Sequence, residues 1–237
     1  MNKKNHKYIT GKNSVLDAIS SQTRINKIYA TYQYQDILEK FNIPYQIVNK
    51  SELDKIVTTN HQGIIAEVDD YFSYCSIEEI INKKPQIILI LDHIEDINNL
   101  GSILRTANAA GVFHIIIPDK RAAQINDKVL KISSGGFVKM NICKTPSIQA
   151  TIDKLKKHNF WIYASCISEN SQTYFKTQYN FPLALIVGNE AKGISSTIKK
   201  ASDQLIYIPM HGTVQSLNVS IATGILLFNI IKKLHII

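Results

Sequence analysis

The chain has 237 residues, of which 45% are hydrophobic, and its 27 Lys and Arg residues against 19 Asp and Glu give a net charge of +8. This composition is typical of a folded globular protein of one or two domains, and the positive charge favours a polyanionic partner such as nucleic acid. The polar N-terminal segment does not fit a secretory signal, and the longest apolar stretch, near residues 219–231, is too short to span a bilayer. Three scattered cysteines without a Cys/His cluster argue against disulfides and a structural zinc site, so we expect a cytoplasmic protein with no membrane segment and no metal.

Residues 8–70 predict a small α/β unit in which short helices alternate with strands. The predicted helices are VLDAISS (15–21), QDILEKFN (35–42) and SELDKIV (51–57), and the predicted strands are KIYAT (27–31), PYQIVN (44–49) and HQGIIAEV (61–68). Ser51 is expected to cap the third helix, with Glu52 in its first turn. We place the first domain at residues 1–75 and a linker at 76–86.

From residue 87 to residue 237 the pattern predicts a second α/β domain. Its strands are continuous runs of Ile, Leu and Val, which are typical of a parallel sheet buried on both faces. The predicted strands are IILILD (87–92), HIIIP (114–118), FWIYAS (160–165), ALIVG (184–188) and LIYIP (205–209). Helical patterns lie at 100–110, 122–132, 147–158 and 191–201, and a last helix is expected from about 217 to 234.

Three segments place polar residues at strand ends or helix starts, where α/β proteins have their active sites. The first is NNLGSILRTANAAG (98–111), in which Asn99 is expected to cap the helix and Gly111 to close it. Arg105 lies one to two turns into this helix. Considered without the other segments, Arg105 is either a surface arginine in an ion pair or a residue whose guanidinium binds a phosphate or ribose oxygen.

The second segment is LIVGNEAKGIS (185–195), which comes close to a phosphate-binding loop. A nucleotide triphosphatase is disfavoured because Ile194 stands where that loop needs lysine, and a dinucleotide site is disfavoured because no GxGxxG is present. What remains is a glycine-flanked turn at Gly188 where the backbone can approach a ligand. Glu190 is either part of that site or a first-turn acid favoured by the helix dipole.

The third segment is LIYIPMHGTVQSLNVSIATGILLFN (205–229). Ser216 is expected to cap the terminal helix, which would explain this residue fully. Asn218 is expected in the first turn of an apolar helix, where a buried amide needs partners, and it is therefore a candidate functional residue. The helix over 219–231 is apolar on nearly every side and must be covered all round, which predicts a homodimer.

The order and wording of these three segments resemble the SpoU (SPOUT) family of RNA ribose 2′-O-methyltransferases, over residues 87–234. The stretch from GKNSVLDAI (11–19) to HQGIIAEV resembles the family's substrate-binding domain, an L30e/L7Ae-like fold. The resemblance implies that the C-terminal part of the parallel sheet is threaded into a deep trefoil knot, against the usual rule of chain topology. It also implies a homodimer with each active site near the interface.

The resemblance further implies the cofactor and the residues around it. The methyl donor would be S-adenosylmethionine, held by backbone contacts from Gly188, Ile208 and Leu217. The family's polar active-site positions match Asn99, Arg105, Glu190, Ser216 and Asn218. Family accounts give Arg105 the activation of the ribose hydroxyl, although a guanidinium practically never loses its proton in a protein. The alternative is that Arg105 orients the hydroxyl beside a substrate phosphate that accepts the proton.

Within the family, the whole pattern is most similar to bacterial methyltransferases of a 23S rRNA guanosine, on the strength of the N-terminal domain and the wording SLNVSIATGILLF. A tRNA-directed relative is one alternative. A non-catalytic RNA-binding protein that helps ribosome assembly is another. The intact set of Arg105, Glu190 and Asn218 favours an enzyme, because a protein that only binds RNA need not keep them.

Overall fold

The computed structural model describes residues 7–20, 25–68, 72–189 and 193–235. The chain divides into two units, Met1–Ser73 and Tyr74–Ile237. Among the described residues, no helix has the length and apolar character needed to cross a membrane.

The described part of the first unit contains four strands and three α-helices. The strands are β1 (Lys7–Thr10), β2 (Ile25–Ala30), β3 (Tyr45–Ile47) and β4 (Ile64–Val68), and the helices are α1 (Lys12–Ser20), α2 (Gln35–Leu38) and α3 (Lys50–Ile56), with a 3₁₀ turn over Tyr32–Tyr34. The strand order is β1-β4-β2-β3, in which β4 is antiparallel to β1 and β2 while β3 is parallel to β2. This layered α/β arrangement confirms the predicted class of the N-terminal unit.

The beginning of α3 corrects one predicted helix cap. Asn49, not Ser51, is the cap: its side-chain oxygen accepts from the backbone N–H of Glu52 at 3.0 Å, and the Glu52 carboxylate accepts from the N–H of Asn49 at 2.9 Å. This reciprocal pair satisfies two backbone donors at once, which a cap at Ser51 would not do. The Ser51 hydroxyl instead donates to the Asn49 side chain.

The second unit is built on one parallel sheet. Its strands among the described residues are β5 (Ile87–Asp92), β6 (His114–Pro118), β7 (Asn141–Thr145), β8 (Trp161–Ser165), the short β9 (Gln172–Thr173), β10 (Leu183–Gly188) and β11 (Gln204–Tyr207). They lie in the order β7-β6-β5-β10-β8-β11-β9, and every neighbouring pair is parallel. The predicted parallel α/β sheet is therefore confirmed, whereas the trefoil knot stays a prediction.

Helices cover this sheet. They are α4 (Ile77–Asn82), α5 (Ile97–Ala109), α6 (Asp127–Ile132), α7 (Ile148–Lys157), α8 (Ser196–Ala201) and α9 (Val219–Leu234). Helix α4 lies in the stretch 76–86 that the sequence suggested as a linker. Its Ile80 and Ile81 are buried in the same apolar cluster as Ile88 of β5, so this stretch is packed into the second unit.

Candidate active site

The central strands of the second unit end together at one edge of the sheet. Gly188 at the end of β10 pairs with Asp92 at the end of β5, and Ile186 pairs with Ala164 of β8 on the other side. Between β5 and β10 the strand order changes direction, because β6 and β7 lie on one side and β8 and β11 on the other. Ligands of open α/β sheets bind at such a switch point, beyond the carboxyl ends of the strands.

A cavity of about 310 Å³ lies at this edge. Its wall is formed by the ends of β8, β10 and β11, by the loop that follows β11, by parts of α8 and of the turn before it, and by the first residues of α9. It includes Ser165, Gly188, Tyr207, Ile208, Ser216 and Leu217. The three residues expected to contact the cofactor, Gly188, Ile208 and Leu217, thus line the same cavity although they come from separate segments. The volume falls in the usual range for small-molecule sites.

Gly188 is required by the close approach of the chain on the two sides of the turn. A Cβ atom at this position would lie 2.6 Å from Cγ1 of Ile194 and 2.8 Å from the carbonyl oxygen of Gly193. The N–H of Gly193 donates to the carbonyl of Asn189 at 2.8 Å, and the Asn189 side chain donates to the carbonyl of His93 at 2.9 Å. The turn is therefore tied to the residue that follows β5. Glu190 lies outside the described residues.

Asn218 joins the start of α9 to α5. Its side-chain oxygen accepts from the backbone N–H of Ser220 at 2.9 Å, which makes it the cap of α9, and its side-chain nitrogen donates to the side-chain oxygen of Asn99 at 2.9 Å. The predicted cap, Ser216, is wrong because it lies two residues before the cap and lines the cavity. Asn218 is exposed at the helix start, so the expected buried amide inside the helix is also wrong.

Helix α5 begins earlier than predicted. Asp96 is its cap, with one carboxylate oxygen accepting from the N–H groups of Asn98 at 2.6 Å and Asn99 at 2.9 Å. Asn99 is therefore in the first turn rather than at the cap, and its side chain meets Asn218. Gly111, with φ of +72°, follows the end of the helix as expected for a left-handed C-terminal residue.

Arg105 combines a fixed backbone with an available side chain. A Cβ atom on Gly136 would lie 2.5 Å from the Cα of Arg105, and one on Gly101 would lie 2.6 Å from Cγ2 of Ile132, so the segment from α6 to Gly136 packs directly on α5. The Arg105 side chain is exposed and makes no ion pair or hydrogen bond within the described part of the chain. Its guanidinium can therefore bind an external anion.

The cavity wall includes residues that sequence reasoning missed, among them Cys166, Asn189 and Lys199. Burial raises the pKa of the Cys166 thiol, and the nearby Lys199 ammonium offsets part of that rise. Asn189 belongs to the glycine-flanked turn and could have been included with it, whereas nothing in the pattern singles out Lys199. The described residues contain no group of His, Cys, Asp or Glu side chains suited to hold a metal ion.

Comparison with known proteins gives matches to both units. Residues 86–228 match the model of the SpoU rRNA Methylase family, and residues 8–74 match a model described as RNA 2′-O ribose methyltransferase substrate binding. A protein of Bacillus subtilis assigned to the TrmH family of tRNA/rRNA methyltransferases is 34% identical, over 96% of each chain.

Two solved structures illustrate the similarity in three dimensions. An AdoMet-bound rRNA methyltransferase from Sinorhizobium meliloti has a TM-score of 0.78 and 24% identity, covering 98% of this chain and 88% of the other. A TrmH/SpoU tRNA modifying enzyme from A. aeolicus has a TM-score of 0.58 and 30% identity, covering 67% of this chain and 84% of the other. The first likeness extends over nearly the whole chain and shows the same fold.

Proposed function

The chain belongs to the SpoU rRNA methylase family and is an S-adenosylmethionine-dependent RNA methyltransferase, and we propose that it methylates the ribose 2′-hydroxyl of a guanosine in 23S ribosomal RNA. One observation carries the assignment of the site. Leu217 and Val219 line the cavity, while Asn218 between them is bonded to Asn99 of α5. Within the three residues 217–219, the chain therefore contributes both to the wall of a small-molecule cavity and to the polar groups that are candidates for contact with RNA.

The cavity fits the nucleoside end of S-adenosylmethionine. Gly188 lets the turn at Gly193 and Ile194 pack closely on the end of β10, where any side chain would clash. Ile194, Leu217 and Val219 offer apolar surface for a purine ring. Gly188, Ile208 and Leu217 would hold the adenosine part. When bound, the cofactor supplies an electrophilic methyl group on its sulfonium.

The described residues can then orient the acceptor. A ribose hydroxyl is a weak nucleophile that must lose its proton as it reacts. Arg105 has no internal partner in the described part of the chain, and its planar guanidinium has several donors, so it is suited to bind a substrate phosphate and the 2′-hydroxyl together. The phosphate oxygen then accepts the proton. Asn99 and Asn218 fix the ribose, and Glu190 is proposed to position Arg105.

Most of the positive surplus of the chain lies in the second unit. Residues 1–73 contain nine basic and eight acidic residues, whereas residues 74–237 contain 18 basic and 11 acidic residues. Lys128 and Lys131 of α6, together with Lys139, are exposed along the segment that packs on α5. We assign recognition of the RNA to the N-terminal unit and much of the phosphate contact to this basic segment of the catalytic unit.

The terminal helix supports a homodimer. Leu226, Leu227 and Ile230 are buried, but Ile221 and Phe228 on the opposite side are 56% and 52% exposed. Pairing of two chains in the cytoplasm would cover this apolar stripe, which is costly to leave in water.

The experiment that tests the acceptor compares cells with and without the gene. Mass spectrometric mapping of 2′-O-methylation in both 23S rRNA and tRNA should show one guanosine of 23S rRNA that loses its methyl group. Loss at a tRNA position instead would reject the rRNA assignment. No loss in either RNA would favour a non-catalytic role in ribosome assembly.

A further inference from the structure

Lys199 brings a positive charge to the wall of the cofactor cavity. It is half-buried in the last turn of α8, and it is the one charged side chain among the described residues that line the cavity. The next residue, Lys200, is exposed and does not line it.

The backbone of Lys199 is firmly positioned. Ser195 caps α8 through its hydroxyl, which accepts from the N–H of Ile198 at 3.3 Å, and the Ser195 carbonyl accepts from the N–H of Lys199 at 3.0 Å. Ile198 is buried in an apolar cluster that includes Ile162 and Ala164 of β8. Helix α8 is thus held in place by Ile198, the residue before Lys199, while Lys199 itself lines the cavity.

The Lys199 ammonium has no anionic partner among the residues that the structure describes. It makes no side-chain ion pair or hydrogen bond with any described residue. Burial raises the pKa of the Cys166 thiol, and the Lys199 charge lowers it in part, so the ammonium lies close enough to act on this other lining residue. A half-buried cation is stabilised when an anion enters the same cavity. This contrasts with Lys154 and Lys156 of α7, which are paired with Glu78 and Asp203.

We propose that the Lys199 ammonium binds the carboxylate of the methionine part of S-adenosylmethionine. The inference rests on the proposed function, since it concerns the same cavity. The adenosine end of the cofactor carries no formal charge and is matched by Gly188, Ile208 and Leu217. The carboxylate is the anionic group at the other end of the cofactor. Among the described residues that line the cavity, Lys199 is the one cationic side chain that could bind this carboxylate. The demethylated product keeps this carboxylate, so Lys199 should hold it equally well.

The test is a binding cycle on the full chain without RNA. Calorimetry is run with S-adenosylmethionine and with decarboxylated S-adenosylmethionine, which lacks only the anionic group. The variants are Lys199→Met, Lys199→Arg and the adjacent control Lys200→Met. A charge-assisted hydrogen bond predicts that wild type binds the decarboxylated compound roughly tenfold more weakly or worse. Lys199→Met should lose the same factor for S-adenosylmethionine and nothing further for the decarboxylated compound. Lys199→Arg should recover most of the loss, and Lys200→Met should match wild type.

Any one of three results would overturn the inference about Lys199 and leave the proposed function standing. The first is equal affinity of wild type for the two compounds. The second is unchanged binding of S-adenosylmethionine by Lys199→Met. The third is an equal loss of affinity for both compounds in that variant, which would indicate a change of cavity shape. The first comparison needs only wild type and so holds even if the variant does not fold. A wild-type chain that binds neither compound would instead contradict the proposed function.

Discussion

The side chain of Asn218 donates a hydrogen bond at 2.9 Å to that of Asn99, 119 residues earlier in the chain. The same Asn218 side chain caps α9 through its oxygen. One amide therefore stabilises a helix start with one atom and joins that helix to α5, which carries Arg105, with the other. The two uses can be separated by substitution.

Asn218→Ser should keep the helix cap and lose the bond to Asn99, because serine caps helices nearly as well as asparagine but has no amide donor. We expect an unfolding free energy within a few tenths of a kcal/mol of wild type and turnover reduced about tenfold or more. Asn218→Ala should lose the same turnover and in addition about 1 kcal/mol of stability. Urea unfolding and methyl transfer rates measure the two effects. Equal turnover for wild type and Asn218→Ser would show that the bond to Asn99 has no part in catalysis.

Arg105→Ala should abolish turnover while leaving the affinity for S-adenosylmethionine nearly intact, since Arg105 is not part of the cavity wall. Arg105→Lys should rescue little, because a point charge cannot replace a planar fork that bonds two oxygens. Single-turnover kinetics and calorimetry make the distinction. The control is Lys157→Ala, which removes an exposed charge at the end of α7. Turnover of Arg105→Ala within a few-fold of that control would remove Arg105 from the mechanism.

Gly188→Ala should weaken cofactor binding and stability together, because the new methyl group would lie 2.6 Å from the side chain of Ile194 and 2.8 Å from the carbonyl of Gly193. Overpacking of this kind costs about 1–3 kcal/mol. The matched control is Gly212→Ala, in the loop after β11, where no atom lies within 4 Å of the added methyl group. Thermal unfolding and calorimetry of both variants test this, and equal behaviour of the two would contradict the close approach at Gly188.

The sequence predicts best the strands in which nearly every residue is buried. Residues 87–92 and 114–118 match β5 and β6 residue for residue, because unbroken aliphatic runs suit only a doubly covered strand. Strand β7 was missed because Asn141 and Lys144 interrupt its apolar pattern.

The helix caps were mispredicted where several capable residues stand close together. Asp96, Asn98 and Asn99 can each cap α5, and Ser216 and Asn218 can each cap α9, so only the path of the backbone decides between them. The cavity wall is equally hidden in the sequence, because Ser165, Gly188 and Ser216 become neighbours only through the sheet order.

Removal of the N-terminal unit should separate RNA binding from cofactor binding. The structure places the cut before Tyr74 rather than near Lys84, because α4 packs into the second unit. Residues 74–237 should bind S-adenosylmethionine like the whole chain and bind RNA more weakly, while log affinity for RNA should still fall with log salt. Filter binding at several salt concentrations measures both. Equal RNA affinity of the two chains would refute the assignment of recognition to the first unit.

Charge in that basic segment should set the slope of the salt dependence. Lys128→Glu with Lys131→Glu should weaken binding to all RNAs alike and reduce the slope by about two, one for each lost phosphate contact. The control is Lys154→Glu with Lys156→Glu, where both lysines are already paired with acids. If the control pair weakens RNA binding as much as the test pair, the basic segment along α5 is not the phosphate-contacting surface.

Charges at two neighbouring positions of α9 should have opposite consequences. Leu227 is fully buried, so Leu227→Asp should prevent folding, whereas Phe228 is 52% exposed, so Phe228→Asp should leave the fold intact and separate the dimer. Light scattering at micromolar concentration should give wild type twice the chain mass of 26.7 kDa and Phe228→Asp the single mass. A wild-type chain that is monomeric and fully active would contradict the homodimer.

The most direct test of methyl transfer to a ribose uses purified protein, unmodified 23S rRNA and S-adenosylmethionine carrying a deuterated methyl group. After digestion to nucleosides, the account predicts guanosine with the deuterated methyl group on its ribose, from one position, with wild type and not with Arg105→Ala. Label on a base instead of a ribose, or no transfer to 23S rRNA by a protein that binds the cofactor, would contradict it.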